Sequence, residues 1–287
     1  MRHFFIAAFV GWALGASWAH AAPIDIVAAE NFYGDVAEQI GGPEVHVTSI
    51  LTNPDEDPHL FEANPSTARQ LADAKLVIYS GAGYDSWAGK LLAASKAPGR
   101  QVIDVAKLVH RKDGDNPHIW YDPPTMPALA KHLADTLSQL DPSHRADYVK
   151  RLALFVETMK RMDARISELH RKYAETVATA TEPVFGYMAD ALGLKMRNDR
   201  FQLAVMNDTE PSAGEIAAFE KDLRSRTVKV LFYNSQTSEA LTERMRGIAK
   251  QAGVPIVGVT ETEPPGKRYQ EWMMSQLDAL DQALAGK

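Results

Sequence analysis

The chain has 287 residues, a formal net charge of −6 at neutral pH and no cysteine. This length allows one large domain or two of modest size. The acidic balance argues against nucleic-acid binding, because the basic surface that phosphate groups require is missing, and without cysteine neither a disulfide bond nor a lipidated cysteine can form.

Residues 1–21 are typical of a secretory signal peptide. Arg2 supplies a positive charge, residues 4–14 are almost wholly apolar, and Ala19-His20-Ala21 has the small-x-small pattern of a cleavage site. A membrane anchor is the alternative interpretation, but the apolar stretch is shorter than the roughly 20 residues that span a bilayer. We therefore expect export to the bacterial periplasm with cleavage near Ala21.

The first half of the chain alternates short β-rich runs with amphipathic segments, which favours a parallel sheet covered by helices. The predicted strands are Ile24–Ala29, Val45–Leu51, Leu76–Tyr79 and Gln101–Val105.

Two histidines occur in the same local setting, after an Asx-Pro dipeptide. They are His59, in Asp57-Pro58-His59, and His118, in Asn116-Pro117-His118. Because a residue before proline is kept out of the helical conformation, each imidazole is predicted to project from a kinked loop. Either histidine alone could be an exposed loop residue, but the repetition favours a shared ligand-binding role.

The most regular stretch of the sequence lies between the two halves. Apolar residues recur at alternating spacings of four and three, which predicts one long helix over residues 143–176. They are Tyr148, Leu152, Phe155, Met159, Met162, Ile166, Leu169 and Tyr173. The same spacing permits a two-stranded coiled coil, but with an α/β block on each side we favour a rigid strut that packs across both blocks.

A second alternating block follows. Its predicted strands are Val184–Phe185 with the residues just before them, Phe201–Met206, Val228–Tyr233 and Ile256–Thr260, and a capping box at Ser212 predicts a helix start there. The predicted fold class is α/β, with parallel-sheet lobes over residues 22–142 and 177–287 joined by the long helix. Ligands of such sheets bind beyond the carboxyl ends of the strands, so we expect a site in the interlobe cleft.

Two glutamates are placed at strand ends of the second lobe. Glu182 precedes Pro183 and is therefore expected to be extended, and Glu261 comes directly after the apolar run of the last strand. Both could be merely solvated, and Glu263 competes with Glu261 for the same role.

Neutral imidazoles with carboxylates form a site for a divalent transition metal ion such as zinc, manganese or iron, whereas calcium and magnesium prefer oxygen almost alone. The sequence has no HExxH, Gly-x-Ser-x-Gly or phosphate-binding glycine loop. A metal-dependent hydrolase or chelatase that uses the same groups is therefore disfavoured but remains an alternative.

These residues resemble the metal-ion solute-binding proteins of bacterial ABC importers for zinc and manganese, along essentially the whole mature chain. The segments that carry the resemblance are Asp57-Pro58-His59-Leu60-Phe61-Glu62, Leu76-Val77-Ile78-Tyr79 with Trp87, Asn116-Pro117-His118-Ile119-Trp120, and Glu182-Pro183-Val184-Phe185-Gly186-Tyr187. Many members have histidine as the third ligand, and glutamate there is similar to the manganese-type members. The fourth ligand is usually aspartate, where this chain has Glu261.

The resemblance implies two α/β lobes, limited hinge closure and capture rather than catalysis. One Mn²⁺ or Zn²⁺ ion would be bound as cargo by His59, His118, Glu182 and Glu261, and a monomer that does not span the membrane would deliver it to an inner-membrane permease and its ATPase. Two glutamates can chelate through both oxygens and so favour manganese slightly, although zinc binds more tightly to most such sites. An adhesion role has no supporting residue in this sequence.

Overall fold

The computed structural model describes residues 22–54, 58, 61–237 and 239–286. Two four-stranded parallel sheets form its framework, with strand orders β2-β1-β3-β4 and β6-β5-β7-β8. The first sheet contains β1 (Ile24–Glu30), β2 (Val45–Leu51), β3 (Leu76–Tyr79) and β4 (Gln101–Asp104). The second contains β5 (Val177–Ala180), β6 (Lys195–Arg197), β7 (Val230–Asn234) and β8 (Ile256–Val259). The predicted fold class, α/β with two parallel-sheet lobes, is confirmed.

Helices connect the strands and cover the sheets. They are α1 (Asn31–Gly41), α2 (Pro65–Asp73), α3 (Ser86–Ala94), α4 (Val105–Leu108), α5 (Thr125–Leu140), α6 (Arg145–Tyr173), α7 (Gly186–Ala191), α8 (Asp199–Met206), α9 (Ala213–Arg224), α10 (Ala240–Ala252) and α11 (Tyr269–Ala285). The capping box predicted at Ser212 is present at the start of α9, where the Ser212 hydroxyl accepts from the amide of Glu215. None of the described helices is both long and apolar enough to cross a bilayer.

Strand order reverses once in each sheet, between β1 and β3 and between β5 and β7. In the register of the first sheet, Ala28 of β1 lies opposite Ser49 on one side and Ile78 on the other. Such a reversal point leaves a crevice beyond the carboxyl ends of the two strands, where ligands bind in this kind of sheet. The functional side chains are therefore expected just beyond these strand ends.

The four strands predicted in the first half are confirmed, but the second half needs two corrections. Phe201–Met206 is helical and not a strand, because a short apolar run does not distinguish the two structures and Asp199 favours a helix start. Val184–Phe185 lies in a 3-10 turn that begins at Pro183, and the strand ends earlier, at Ala180. The short strand β6 carries no alternating pattern and is missed by the prediction.

The long helix α6 starts at Arg145 and ends at Tyr173, slightly inside the predicted range of 143–176. At 1.5 Å per residue it is roughly 44 Å long. Its predicted apolar face is buried, with Leu152 and Tyr173 only partly so. The helix packs against α1, α5 and α11. The division of the chain into lobes at residues 142 and 177 stays a prediction.

The apolar core is continuous between the two lobes. One cluster of buried side chains includes Ile26 and Ile78 of the first sheet, Phe232 and Val257 of the second, and the buried face of α6. Breaking such a core would expose apolar surface at a cost of about 25 cal/mol per Å². The packing therefore favours small relative movements of the lobes over wide opening.

Candidate metal site

Side chains that follow the strand ends of both lobes meet at one buried place. Glu182 lies just beyond β5, Asn234 is the last residue of β7 and Glu261 lies just beyond β8. Glu182 is extended, with φ −143° and ψ 158°, as predicted from the proline that follows it. His118 approaches these residues from the first lobe.

His118 is fully buried, and its ring is oriented by Asn116. The Asn116 side-chain amide donates to the carbonyl of Pro183 at 2.7 Å, so its oxygen must face the imidazole, where it lies 2.7 Å from Nδ1. An amide oxygen can only accept, so Nδ1 must carry the hydrogen. In the neutral ring the lone pair is therefore on Nε2, which is the form of histidine that binds metal ions.

Glu261 meets His118 directly. Its Oε2 atom lies 3.3 Å from Nε2 of His118, and both side chains have no exposed surface. The Tyr84 hydroxyl donates to the same Oε2 at 2.9 Å, and the Asn234 amide donates to Oε1 at 2.6 Å. Burial, and next the charge of Glu261, hold the pKa of Tyr84 well above its ordinary value, so Tyr84 stays a hydrogen-bond donor.

Glu182 shares Asn234 with Glu261. The Asn234 amide nitrogen lies 3.5 Å from Oε2 of Glu182, and the Thr237 hydroxyl donates to Oε1 at 3.0 Å. Glu182 is only 4% exposed. One amide thus links the two carboxylates that the sequence singles out.

The structure places His118 in direct contact with Glu261, and Glu182 shares the Asn234 amide with Glu261. His59 lies outside the described residues. Within the described ranges, no three side chains of histidine, cysteine, aspartate or glutamate form a ready-made metal cluster. The four-residue ligand set therefore stays a prediction at this point.

Glu263, the competitor of Glu261, points to a different place. It lines a separate cavity of about 350 Å³ together with Asp35, Glu38 and Arg268. Burial, and next the charge of Asp35, raise the pKa of Glu263 to about 9. This arrangement favours Glu261 as the residue that shares a site with His118.

Several residues of the site are missed by sequence reasoning. Tyr84, Asn234 and Thr237 carry no metal-ligand signature, although Asn234 could have been noticed as a polar residue that ends a buried strand. Asn116 is recognised only as a turn former. Asp122, four residues after His118, pairs with Arg111 at 2.9 Å.

A buried carboxyl pair lies at the strand ends of the first lobe. Glu30 ends β1 and is completely buried. Burial, followed by the charge of Asp85, raises the pKa of Glu30 well above its ordinary value. Burial also raises the pKa of Asp85 to about 6, although backbone amides of Gly81 and Ser80 partly offset the effect. Glu30 therefore keeps its proton to a higher pH than an exposed glutamate does.

The candidate site is a closed polar centre and not an open cavity. A cavity of about 730 Å³ lies elsewhere, between α3 and the loop after β4, and is lined by residues such as Lys90, Asp104 and Lys112. At the candidate site the side chains of His118, Glu182 and Glu261 are themselves buried.

Two α/β lobes, a bridging helix and a small buried polar centre between the lobes define the class of two-lobed solute-binding proteins. The chain belongs to the family described as zinc-uptake complex component A, periplasmic (ZnuA), whose model matches residues 26–283.

Three known proteins are similar to this chain over nearly their full lengths. The metal ABC transporter substrate-binding lipoprotein FimA of Streptococcus parasanguinis is 23% identical, covering 94% of this chain and 92% of FimA. The manganese ABC transporter substrate-binding lipoprotein scaA of Streptococcus gordonii is also 23% identical, covering 97% and 96%. The structure of the periplasmic zinc-binding protein TroA from Treponema pallidum superposes with a TM-score of 0.78 at 20% identity, covering 92% of this chain and 99% of TroA.

Proposed function

We propose that this protein captures one divalent transition metal ion, Mn²⁺ or Zn²⁺, in the periplasm and delivers it to an ABC permease and its ATPase in the inner membrane. Membership of the zinc-uptake family supports this function, as do the relatives named for metal and manganese transport. The proposed ligands are His118, Glu182 and Glu261, joined by His59.

The contact between His118 and Glu261 carries the proposal. With Nδ1 holding the hydrogen, Nε2 presents a lone pair to a carboxylate oxygen only 3.3 Å away. Two electron-pair donors this close in a buried site repel each other unless a cation lies between them or bridges them. When no metal is bound, a proton can bridge the two atoms. A divalent metal ion stabilises the contact more than a proton does, because further carboxylate oxygens can also bind it.

The donor set fits a borderline transition metal. Imidazole nitrogen and carboxylate oxygen are both ligands of Zn²⁺ and Mn²⁺. Glu182 and Glu261 can each bind through one oxygen or two, and the higher coordination number that results favours manganese. Zinc is still expected to bind more tightly in vitro, as the Irving–Williams order requires.

The arrangement suits capture and release. The centre is buried beneath side chains from both lobes, so an ion can enter or leave only when the lobes or the covering loops move. We propose that the protein acts as a monomer after removal of the signal peptide near Ala21. Docking on the permease would then supply the movement that frees the ion.

The metal content of the purified protein tests the proposal directly. Protein purified without chelator should hold one metal ion per chain, and His118→Ala and Glu182→Gln should hold far less. His132→Ala, on the exposed face of α5, is the control and should bind like the wild type. His59→Ala tests the remaining ligand separately.

Two outcomes would overturn the proposal. The first is a stoichiometry well below one in the wild type after loading with Zn²⁺ or Mn²⁺, and the second is full retention in His118→Ala. Turnover of ester or phosphate substrates by the metal-loaded protein would instead support a metal-dependent enzyme.

A further inference from the structure

The segment of residues 260–263 carries Glu261 and has no regular secondary structure. It is nevertheless buried: Glu261, Thr262 and Glu263 are at most 7% exposed. Buried backbone amides and carbonyls need hydrogen-bond partners. In this segment those partners are side chains, and they come from both lobes.

The second lobe supplies Gln236, which follows β7. Its side-chain oxygen accepts from the backbone amides of Glu261, at 2.5 Å, and Thr262, at 3.1 Å. Its side-chain nitrogen donates to the Thr262 hydroxyl at 2.8 Å. Gln236 therefore fixes the first half of the segment to the lobe from which the segment emerges.

The first lobe supplies Asn31 and Tyr121. Asn31, the first residue of α1, accepts from the backbone amide of Glu263 at 3.0 Å and donates to its carbonyl at 2.7 Å. The Tyr121 hydroxyl donates to the carbonyl of Thr260 at 2.7 Å. The flanks of Glu261 are thus held by the opposite lobe.

We infer that Asn31 and Gln236 are positioning residues that hold Glu261 in place from opposite lobes, so that relative movement of the lobes acts directly on this ligand. The inference rests on the proposed role of Glu261 in metal binding. If α1 moved relative to β7, the hydrogen bonds made by Asn31 and those made by Gln236 could not all be kept. The segment would shift, and the Glu261 carboxylate would be drawn away from His118. Release of the ion would then need only a small displacement, which agrees with the continuous core between the lobes.

A matched control lies on the same helix. Gln39 of α1 exchanges a pair of side-chain hydrogen bonds with Gln270 of α11, at 3.1 and 3.0 Å, and is partly buried like Asn31. Gln39→Ala therefore removes an equivalent amide pair between α1 and the C-terminal part of the chain without touching residues 260–263. If metal binding depended only on the general strength of the contact between α1 and the C-terminal part of the chain, Asn31→Ala and Gln39→Ala should weaken it alike.

The experiment compares Zn²⁺ binding in the full chain for wild type, Asn31→Ala, Gln236→Ala and Gln39→Ala. The dissociation constant is measured by competition with a chromophoric chelator, and the release rate by stopped flow against excess chelator. Urea unfolding of the metal-free proteins reports the structural cost of each change. We expect the two positioning variants to bind Zn²⁺ roughly 10- to 100-fold more weakly and to release it faster, while Gln39→Ala loses stability but keeps wild-type binding.

The outcomes separate this inference from the proposed function. If the wild type binds Zn²⁺ and both Asn31→Ala and Gln236→Ala bind and release it as the wild type does, the inference is wrong. Equal weakening in Gln39→Ala would also overturn it, because the effect would then be structural. If the wild type itself fails to bind either Zn²⁺ or Mn²⁺, the proposed function is wrong. Should Asn31→Ala not fold, Gln236→Ala gives the same test from the other lobe.

Discussion

The Nε2 atom of His118 lies 3.3 Å from the Oε2 atom of Glu261, and the two side chains reach this contact from opposite lobes. Around them Tyr84, Asn116 and Asn234 provide the hydrogen bonds that fix both groups. A metal ion bound here would therefore join the lobes through its own ligands.

The two neighbouring glutamates should differ sharply in their effect on metal binding. Glu261→Gln keeps the size of the side chain but removes the charge that the ion needs, so we expect the affinity for Zn²⁺ to fall at least tenfold. Glu263→Gln alters a side chain that lines a different cavity and should leave the affinity unchanged. Calorimetric titration with Zn²⁺ measures both, and the reverse pattern would assign the ligand role to Glu263.

Asn116 should matter for metal affinity although it is not itself a proposed ligand. Asn116→Ala removes the acceptor that keeps the hydrogen on Nδ1 of His118, and we expect affinity to fall roughly 10- to 100-fold. Asn207→Ala, which removes an exposed side-chain bond to the carbonyl of Leu203, serves as the control. Equal affinities for the two variants would show that the orientation of the imidazole does not depend on Asn116.

The sequence predicts the ends of the first-lobe strands almost to the residue, because each is a short run rich in β-branched residues between amphipathic or turn-forming segments. It fails at Phe201–Met206, where six apolar and polar residues fit a strand and a helix equally well and packing in the second lobe decides. It singles out His118, Glu182 and Glu261 as candidates by residue type, but Tyr84 and Asn234 act through contacts between residues far apart in the chain. Those contacts follow from the tertiary structure and leave no local pattern.

The buried carboxyl pair should make stability depend on pH. Because the pKa of Glu30 is raised above its ordinary value of 4.5, the folded chain keeps a proton that the unfolded chain releases. The free energy of unfolding should therefore decrease as pH rises above 4.5. Glu30→Gln has no proton to lose there, so its stability relative to the wild type should increase with pH, by at most about 1.4 kcal/mol per pH unit.

Urea unfolding of the metal-free protein at pH 5 and pH 8 tests this dependence. Glu157→Gln, which alters an exposed residue of α6 paired with Lys160, is the control and should track the wild type at both values. A stability difference between Glu30→Gln and the wild type that is the same at pH 5 and pH 8 would contradict the proton assignment.

The strut helix offers a test of the packing. Leu169 of α6 is fully buried in the core that both lobes share, so Leu169→Ala should lower the free energy of unfolding by about 2–5 kcal/mol. Leu154 of the same helix is 61% exposed, and Leu154→Ala should change the free energy of unfolding by no more than about 0.5 kcal/mol. Thermal or urea unfolding distinguishes the two, and similar losses would mean that α6 does not pack as described.

A crystal structure of the metal-loaded protein, with anomalous data collected at the zinc or manganese edge, tests the central claim most directly. We predict one anomalous peak between the lobes. For zinc, it should lie within about 2.0–2.2 Å of Nε2 of His118 and of a carboxylate oxygen of Glu261, and Glu182 and His59 should complete the coordination. A peak bound by other residues, or a loaded protein in which His118 and Glu261 still contact each other with no ion between them, would contradict it.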